Sequence, residues 1–200
     1  MIVNQANEID FFSDLALKND VIVAGSTWTE DEKLLKQLLD NQNFTLIIAP
    51  HEIHKEHIEE IEKRFAVFSP VRYTQLSPDT NMEQVQVIVI DVIGILSSLY
   101  RYATIAYIGG GFGKGIHNIL EAATYGKPII FGTNHKKFKE AKDLIRLSAA
   151  FSISNYEELD NIVRKLSTDP QTMEIAGNKA KQYVLDNIGA CEKVYEAVIN

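Results

Sequence analysis

Three runs in this 200-residue chain are apolar at almost every position: Phe44-Thr-Leu-Ile-Ile-Ala49, Val85-Gln-Val-Ile-Val-Ile90 and Thr104-Ile-Ala-Tyr-Ile108. A strand with one face in water alternates apolar and polar residues, whereas a continuously apolar strand is covered on both faces. Helical stretches separate the runs. Glu30 to Asn41 places Leu34, Leu35, Leu38 and Leu39 at helical spacing, and Glu52 to Phe65 is charged and amphipathic. Val21–Ala24, Ala66–Phe68, Pro128–Phe131 and Ala150–Ile153 complete the expected strands. Gly94–Tyr102, His117–Tyr125, Lys136–Leu147, Asn155–Leu166, Pro170–Asn187 and Ala190–Ile199 complete the expected helices. Strands alternating with helices, joined by right-handed crossovers, predict an α/β fold with a doubly wound, mostly parallel, Rossmann-like sheet. No repeat, low-complexity segment or linker divides the chain, so residues 1–200 read as one domain.

Composition narrows the function. A formal net charge of −7 argues against nucleic acid as a partner. No apolar run approaches the roughly 20 residues of a membrane span, and Met1–Glu8 lacks the basic end and apolar run of a signal peptide. Cys191 is the only cysteine, which leaves no disulfide framework and suits a reducing cytoplasm. The histidines show no metal-ligand spacing, so neither a metal nor a cofactor is expected. Lys127, Lys136, Lys137, Lys139 and Lys142 crowd together in sequence, a local basic patch suited to a small anion.

In a doubly wound sheet, ligands bind outside the carboxyl ends of the strands. Ser26 and Thr27, Pro50 and His51, Asp91, Gly109 to Gly115, and Gly132 to His135 therefore share one rim. Five glycines fall within the seven positions 109–115. The dinucleotide pattern fails, because the third glycine position is Lys114 or Ile116, and the phosphate-loop pattern fails because Gly115 follows Lys114. Gly110, Gly111, Phe112, Gly113 and Lys114 can still turn N–H groups toward a phosphate at the start of the helix expected from His117. Glu121 would share that helix's first turn with His117 and Asn118, where a carboxylate can accept hydrogen bonds from a sugar diol; simple helix capping is the alternative. Ser26 and Thr27 could contact a ligand or cap the next helix, and Asp91 could cap the helix at Gly94. His117 reads as a phosphate contact or a packed imidazole, and Trp28 as a stacking or a packed aromatic.

The stretch Gly-Gly-Gly-x-x-x-Gly-x-His-Asn-x-Leu-Glu-x-Ala-x-x-Gly-Lys-Pro, Gly109 to Pro128, resembles the nucleotide-sugar signature of the 3-deoxy-D-manno-octulosonic acid (Kdo) transferases, which are GT-B glycosyltransferases. Ala24-Gly-Ser-Thr-Trp-x-x-Asp-Glu32, Leu46-Ile-Ile-Ala-Pro50 and Asp91-x-x-Gly-x-Leu-x-x-x-Tyr100 resemble further family segments in the same order. Departures stand at His51-Glu52, where the family has Arg-His, and at Ile116 and Ile119, where it has Gly and Pro.

The resemblance implies the C-terminal half of a GT-B enzyme, a donor-binding domain whose acceptor domain lies outside this chain. It implies CMP-Kdo as donor and substrate, bound by Ser26, Thr27, Asp91, Gly110, Gly111, Phe112, Gly113, Lys114, His117, Asn118 and Glu121. The acceptor would be a lipid A precursor. The catalytic base and any membrane contact would belong to the missing domain, and the full enzyme would work on the cytoplasmic face of the bacterial inner membrane in lipopolysaccharide synthesis. The competing readings are another GT-B enzyme using a UDP-sugar and a non-catalytic nucleotide-binding module.

Overall fold

A computed structural model describes residues 10–77, 79–81 and 85–188. Met1–Glu8, Cys191 and the helix expected at Ala190–Ile199 lie outside these residues. A first helix, α1 (Asp10–Lys18), precedes β1 (Val21–Thr27), α2 (Thr29–Leu39), β2 (Thr45–Pro50) and α3 (Lys55–Arg64). Then come β3 (Val71–Arg72), β4 (Val87–Val89), α4 (Leu96–Leu99), β5 (Ile105–Ile108), α5 (Leu120–Thr124) and β6 (Ile129–Gly132). The chain continues through α6 (Lys139–Arg146), β7 (Ala150–Ile153), α7 (Tyr156–Thr168) and α8 (Pro170–Asn187).

The strands form one seven-stranded sheet in the order β3-β4-β2-β1-β5-β6-β7, every pair parallel. Alternate residues of each strand feed two cores. Val21, Val23, Ile47, Ile88, Ala106, Ile108 and Phe131 pack with α1, α5, α6 and α8. Ile22, Ala24, Leu46, Ile48, Val87, Tyr107 and Ile130 pack with α2, α3 and α7. Two helical layers on a parallel sheet explain the continuously apolar strands, and the expected doubly wound class is observed.

Three local expectations fail. Ala66–Phe68 is a 3₁₀ turn rather than a strand. Only Phe65 and these three residues separate the end of α3 from Ser69, whose positive φ of 50° redirects the chain into β3. The helix expected over Gly94–Tyr102 begins two residues later and ends in a 3₁₀ turn at Tyr100–Tyr102. The helix expected from His117 begins only at Leu120. Ile116 and Ile119 are buried, which draws the intervening segment onto the core before a helix can start.

β1 and β5 are neighbours, and the chain winds outward from them in opposite directions. The carboxyl ends of these two strands therefore flank the topological switch point, where a doubly wound sheet opens its ligand crevice.

Candidate functional site: the carboxyl rim between β1 and β5

The glycine cluster is shaped first by the chain itself. A Cβ on Gly109 would land on the backbone of Ser26 and Thr27, and one on Gly111 on the backbone of Gly132. Gly110 and Gly115 hold φ of 87° and 111°, conformations that a side chain strains. Gly113 alone among the five faces open space. The carbonyl of Gly110 accepts N–H from Gly113 (3.1 Å) and Gly115 (2.9 Å). Asn134 staples the loop, its N–H donating to Gly111 O (2.8 Å) and its carboxamide to Gly113 O (2.7 Å).

Two of the N–H groups expected to face a phosphate therefore face the protein: Gly113 bonds within the loop, and Gly110 donates to Asp31 Oδ2 at 2.9 Å. Among the described residues no acceptor meets the N–H of Phe112 or Lys114. The Phe112 side chain leans on the α2–α7 core, while Lys114 is exposed.

Lys114 carries its ammonium 3.9 Å from the centroid of the Trp28 ring, within cation–π range. Trp28 stacks on His51 (4.7 Å), and the His117 ring meets His51 at a tilt (4.5 Å). This column joins the ends of β1, β2 and β5. Trp28 Nε1 and His117 Nε2 are buried, with no hydrogen-bond partner among the described residues. Burial, and secondarily His51, holds the His117 imidazole below its ordinary pKa.

The segment before α5 corrects the sequence reading. His117 and Asn118 precede the helix instead of sharing its first turn, and a five-residue helix offers little macrodipole to an anion. The Asn118 carboxamide accepts from Leu120 N–H (3.1 Å) and donates to Glu121 Oε1 (3.0 Å). Glu121 is half-buried, and desolvation raises its carboxyl above the ordinary range against the opposing bond from Asn118.

Thr27 and Asp91 depart furthest from expectation. Ser26 holds a left-handed φ of 54° and does not cap α2. Thr27 is fully buried, and its hydroxyl points at Glu32 Oε1 (3.5 Å) rather than out of the rim. Asp91 accepts from Thr74 N–H (3.1 Å) and Oγ1 (2.5 Å), and the N-cap of α4 is Ile95. It follows β4, three strands from β5, about 14 Å from the glycine loop at normal strand spacing. The lysine cluster also disperses. Lys127 precedes β6 at the opposite rim, beside Arg101 and Pro170, and Lys139 pairs with Asp143 (2.8 Å).

The residues that the sequence reading missed sit beneath the rim. Asp31 and Glu32 are buried, side by side in the first turn of α2. Asp31 Oδ2 accepts from Trp28 N–H (2.9 Å) as well as from Gly110, and Oδ1 accepts from the Tyr107 hydroxyl (2.8 Å). Glu32 accepts from Arg64 and meets His57 Nε2 at 2.8 Å, while His57 Nδ1 meets Glu52 O at 2.8 Å. Glu30-Asp31-Glu32 in sequence is an ordinary acidic helix start. The family-like segment ending at Asp31-Glu32 marks the last two apart from Glu30, and burial gives them their role. Among the described residues no group of three or more His, Cys, Asp or Glu could hold a metal, and no helix is long and apolar enough to cross a membrane.

No family model matches the chain. It is 31% identical over 175 residues, 83% of its length, to a 3-deoxy-D-manno-octulosonic acid transferase of Rickettsia typhi, and 30% identical over 177 residues to that of Aquifex aeolicus. A bifunctional glycosyltransferase/methyltransferase of Fusobacterium nucleatum is 32% identical over 159 residues. The chain spans 37%, 48% and 24% of these three relatives respectively. Among solved structures, the C-terminal CMP-Kdo binding domain of WaaA from Acinetobacter baumannii superposes with a TM-score of 0.73 at 19% identity, covering 87% of this chain and 96% of that one. Anabaena HepE in complex with UDP follows at 0.65 and 14% identity, covering 98% of this chain and 55% of its own. Over most of its length the chain is thus a relative of the 3-deoxy-D-manno-octulosonic acid transferases, with the Rossmann-like fold of a GT-B glycosyltransferase domain.

Proposed function

We propose that this chain is the donor-binding domain of an inverting glycosyltransferase that moves Kdo from CMP-Kdo to a lipid A precursor in lipopolysaccharide synthesis. One observation carries the reading. Lys114, His117, Asn118 and Glu121, residues of the segment on which the resemblance rests, lie together beside the β1/β5 switch point of a fold shared with a CMP-Kdo binding domain. Glu121, fixed by Asn118, accepts hydrogen bonds from the ribose hydroxyls. The Lys114 ammonium and the N–H groups of Phe112 and Lys114 meet the phosphate. As the sugar leaves, these fixed donors stabilise the negative charge that gathers on CMP, which is electrostatic catalysis. The acceptor half, its base and its membrane contact are supplied from outside these 200 residues, with the whole enzyme at the cytoplasmic face of the inner membrane.

Trp28, the only tryptophan, lies under Lys114, so its fluorescence reports on the rim. Titration should show CMP binding more tightly than UMP, and cytidine more weakly than CMP. UMP binding as well as CMP would discard the cytidine donor. The purified chain alone should transfer no sugar, so turnover of CMP-Kdo with a lipid A precursor would refute the division of labour.

A further inference from the structure

Asp31 does more than a helix-capping carboxylate requires. Capping α2 needs only its bond to Trp28 N–H, three residues back. Its two other bonds reach Tyr107 and Gly110, 76 and 79 residues away in sequence. We infer that Asp31 is the positioning residue of the donor site: a single oxygen, Oδ2, holds the backbone of Trp28 and of Gly110 and so sets the ring and the loop that meet in the Lys114–Trp28 contact. This rests on reading the rim as the donor site.

The physical reason lies in Gly110. With no side chain of its own to pack, it is oriented through its backbone, and its N–H ties the loop to α2 below, as the Asn134 staple ties it from the end of β6. The Gly110 carbonyl then gathers the N–H groups of Gly113 and Gly115. Among the described residues no acceptor meets the remaining N–H groups of the loop, those of Gly111, Phe112 and Lys114. Asp31 never touches the ligand. It decides which N–H groups the ligand meets.

Asp31→Ala removes both oxygens, so the buried N–H groups of Trp28 and Gly110 lose their acceptor. CMP binding should weaken about ten- to a hundredfold. Tyr107→Phe removes only the hydroxyl bond to Oδ1, so it should lower the melting temperature yet leave CMP affinity within about twofold. Equal proportionality between lost affinity and lost stability in the two variants would overturn the inference. Amide exchange supplies a test without any substitution. In the wild-type chain the Gly110 amide should exchange slowly and stay unshifted on adding CMP, while those of Phe112 and Lys114 exchange fast and shift. A fast-exchanging Gly110 amide, or one that shifts most with CMP, overturns the anchor. If the wild type binds no CMP while Gly110 is protected and loses protection in Asp31→Ala, the donor reading falls and the anchor stands.

Discussion

Two strand-to-helix turns meet at the switch point, and they are built from opposite materials. After β1 the helix starts within two residues, and the turn is held by buried side chains: Asp31 under the glycine loop, Glu32 against Arg64 and His57. After β5 eleven residues pass before a helix of five, held by backbone touching backbone at Gly109 and Gly111 and by the Asn134 staple. The first turn directs its charges inward and serves as foundation. The second leaves Lys114 and Asn118 exposed and Glu121 half-buried. A loop can stay open to solvent because a neighbouring turn, buried and charged, supports it from below.

The largest effect should fall on the foundation. Glu32→Ala leaves Arg64 and His57 without their buried partner, a loss of about 3 kcal/mol or more by urea denaturation. A loss below about 1 kcal/mol would mean that packing rather than charge holds the first turn.

Gly111→Ala attacks the second turn through its backbone. The added methyl would press on Gly132, and the overpacking should cost about 2–3 kcal/mol, with the rim displaced and CMP binding lost. An alanine that folds with full stability would show that the loop has slack the contrast denies it.

Glu121→Gln should separate binding from stability. Losing one charge-assisted bond to a ribose weakens CMP about tenfold, while unfolding changes by less than about 1 kcal/mol. Equal CMP affinity in calorimetry, or indifference of both proteins to 2′-deoxy-CMP, would remove the ribose role.

The same variant carries a signed pH test. Burial raises the Glu121 carboxyl above its ordinary value of 4.5, so the folded chain holds that proton more tightly than the unfolded chain does. That contribution is present below the ordinary value and is lost as pH rises through the raised one. Glu121→Gln, with no proton to release, should therefore gain in stability on wild type as pH rises above that ordinary value. Asp31 and Glu32, raised by burial too, are common to both proteins and cancel in the difference. A difference that shrinks as pH rises would contradict the assignment.

The smallest effect belongs to Gly113→Ala. Nothing stands within 4 Å of the added methyl, so stability should stay within about 0.5 kcal/mol of wild type or rise slightly. Set against Gly111→Ala, it tests whether glycines of one loop answer to different constraints.

Local periodicity made the strands, the flanking helices and their order legible: Val21–Ala24, Thr104–Ile108 and Ala150–Ile153 fall on β1, β5 and β7, and Pro170–Asn187 on α8. Each of these signals is contained within a few adjacent residues. The polar rim was legible too, because in a parallel sheet every strand ends on one side. The segment from Lys114 to Glu121 was found, but not its conformation. Asn118 and His117 lie outside a helix that the spacing alone would have continued through them, since the burial of Ile116 and Ile119 is a tertiary demand.

What the sequence determined by itself was therefore the class of fold, the rim, and the segment by which the chain resembles its relatives. The tertiary structure alone decided which polar groups face outward and which are used up inside. Thr27 and the Gly110 N–H turn inward, Asp91 is held by Thr74, and the column of Trp28, His51 and His117 closes across three strand ends. The reason is distance along the chain. A hydrogen bond such as Asp31 to Gly110 spans 79 residues, and no local pattern in an acidic helix start marks which carboxylate will be buried to accept it.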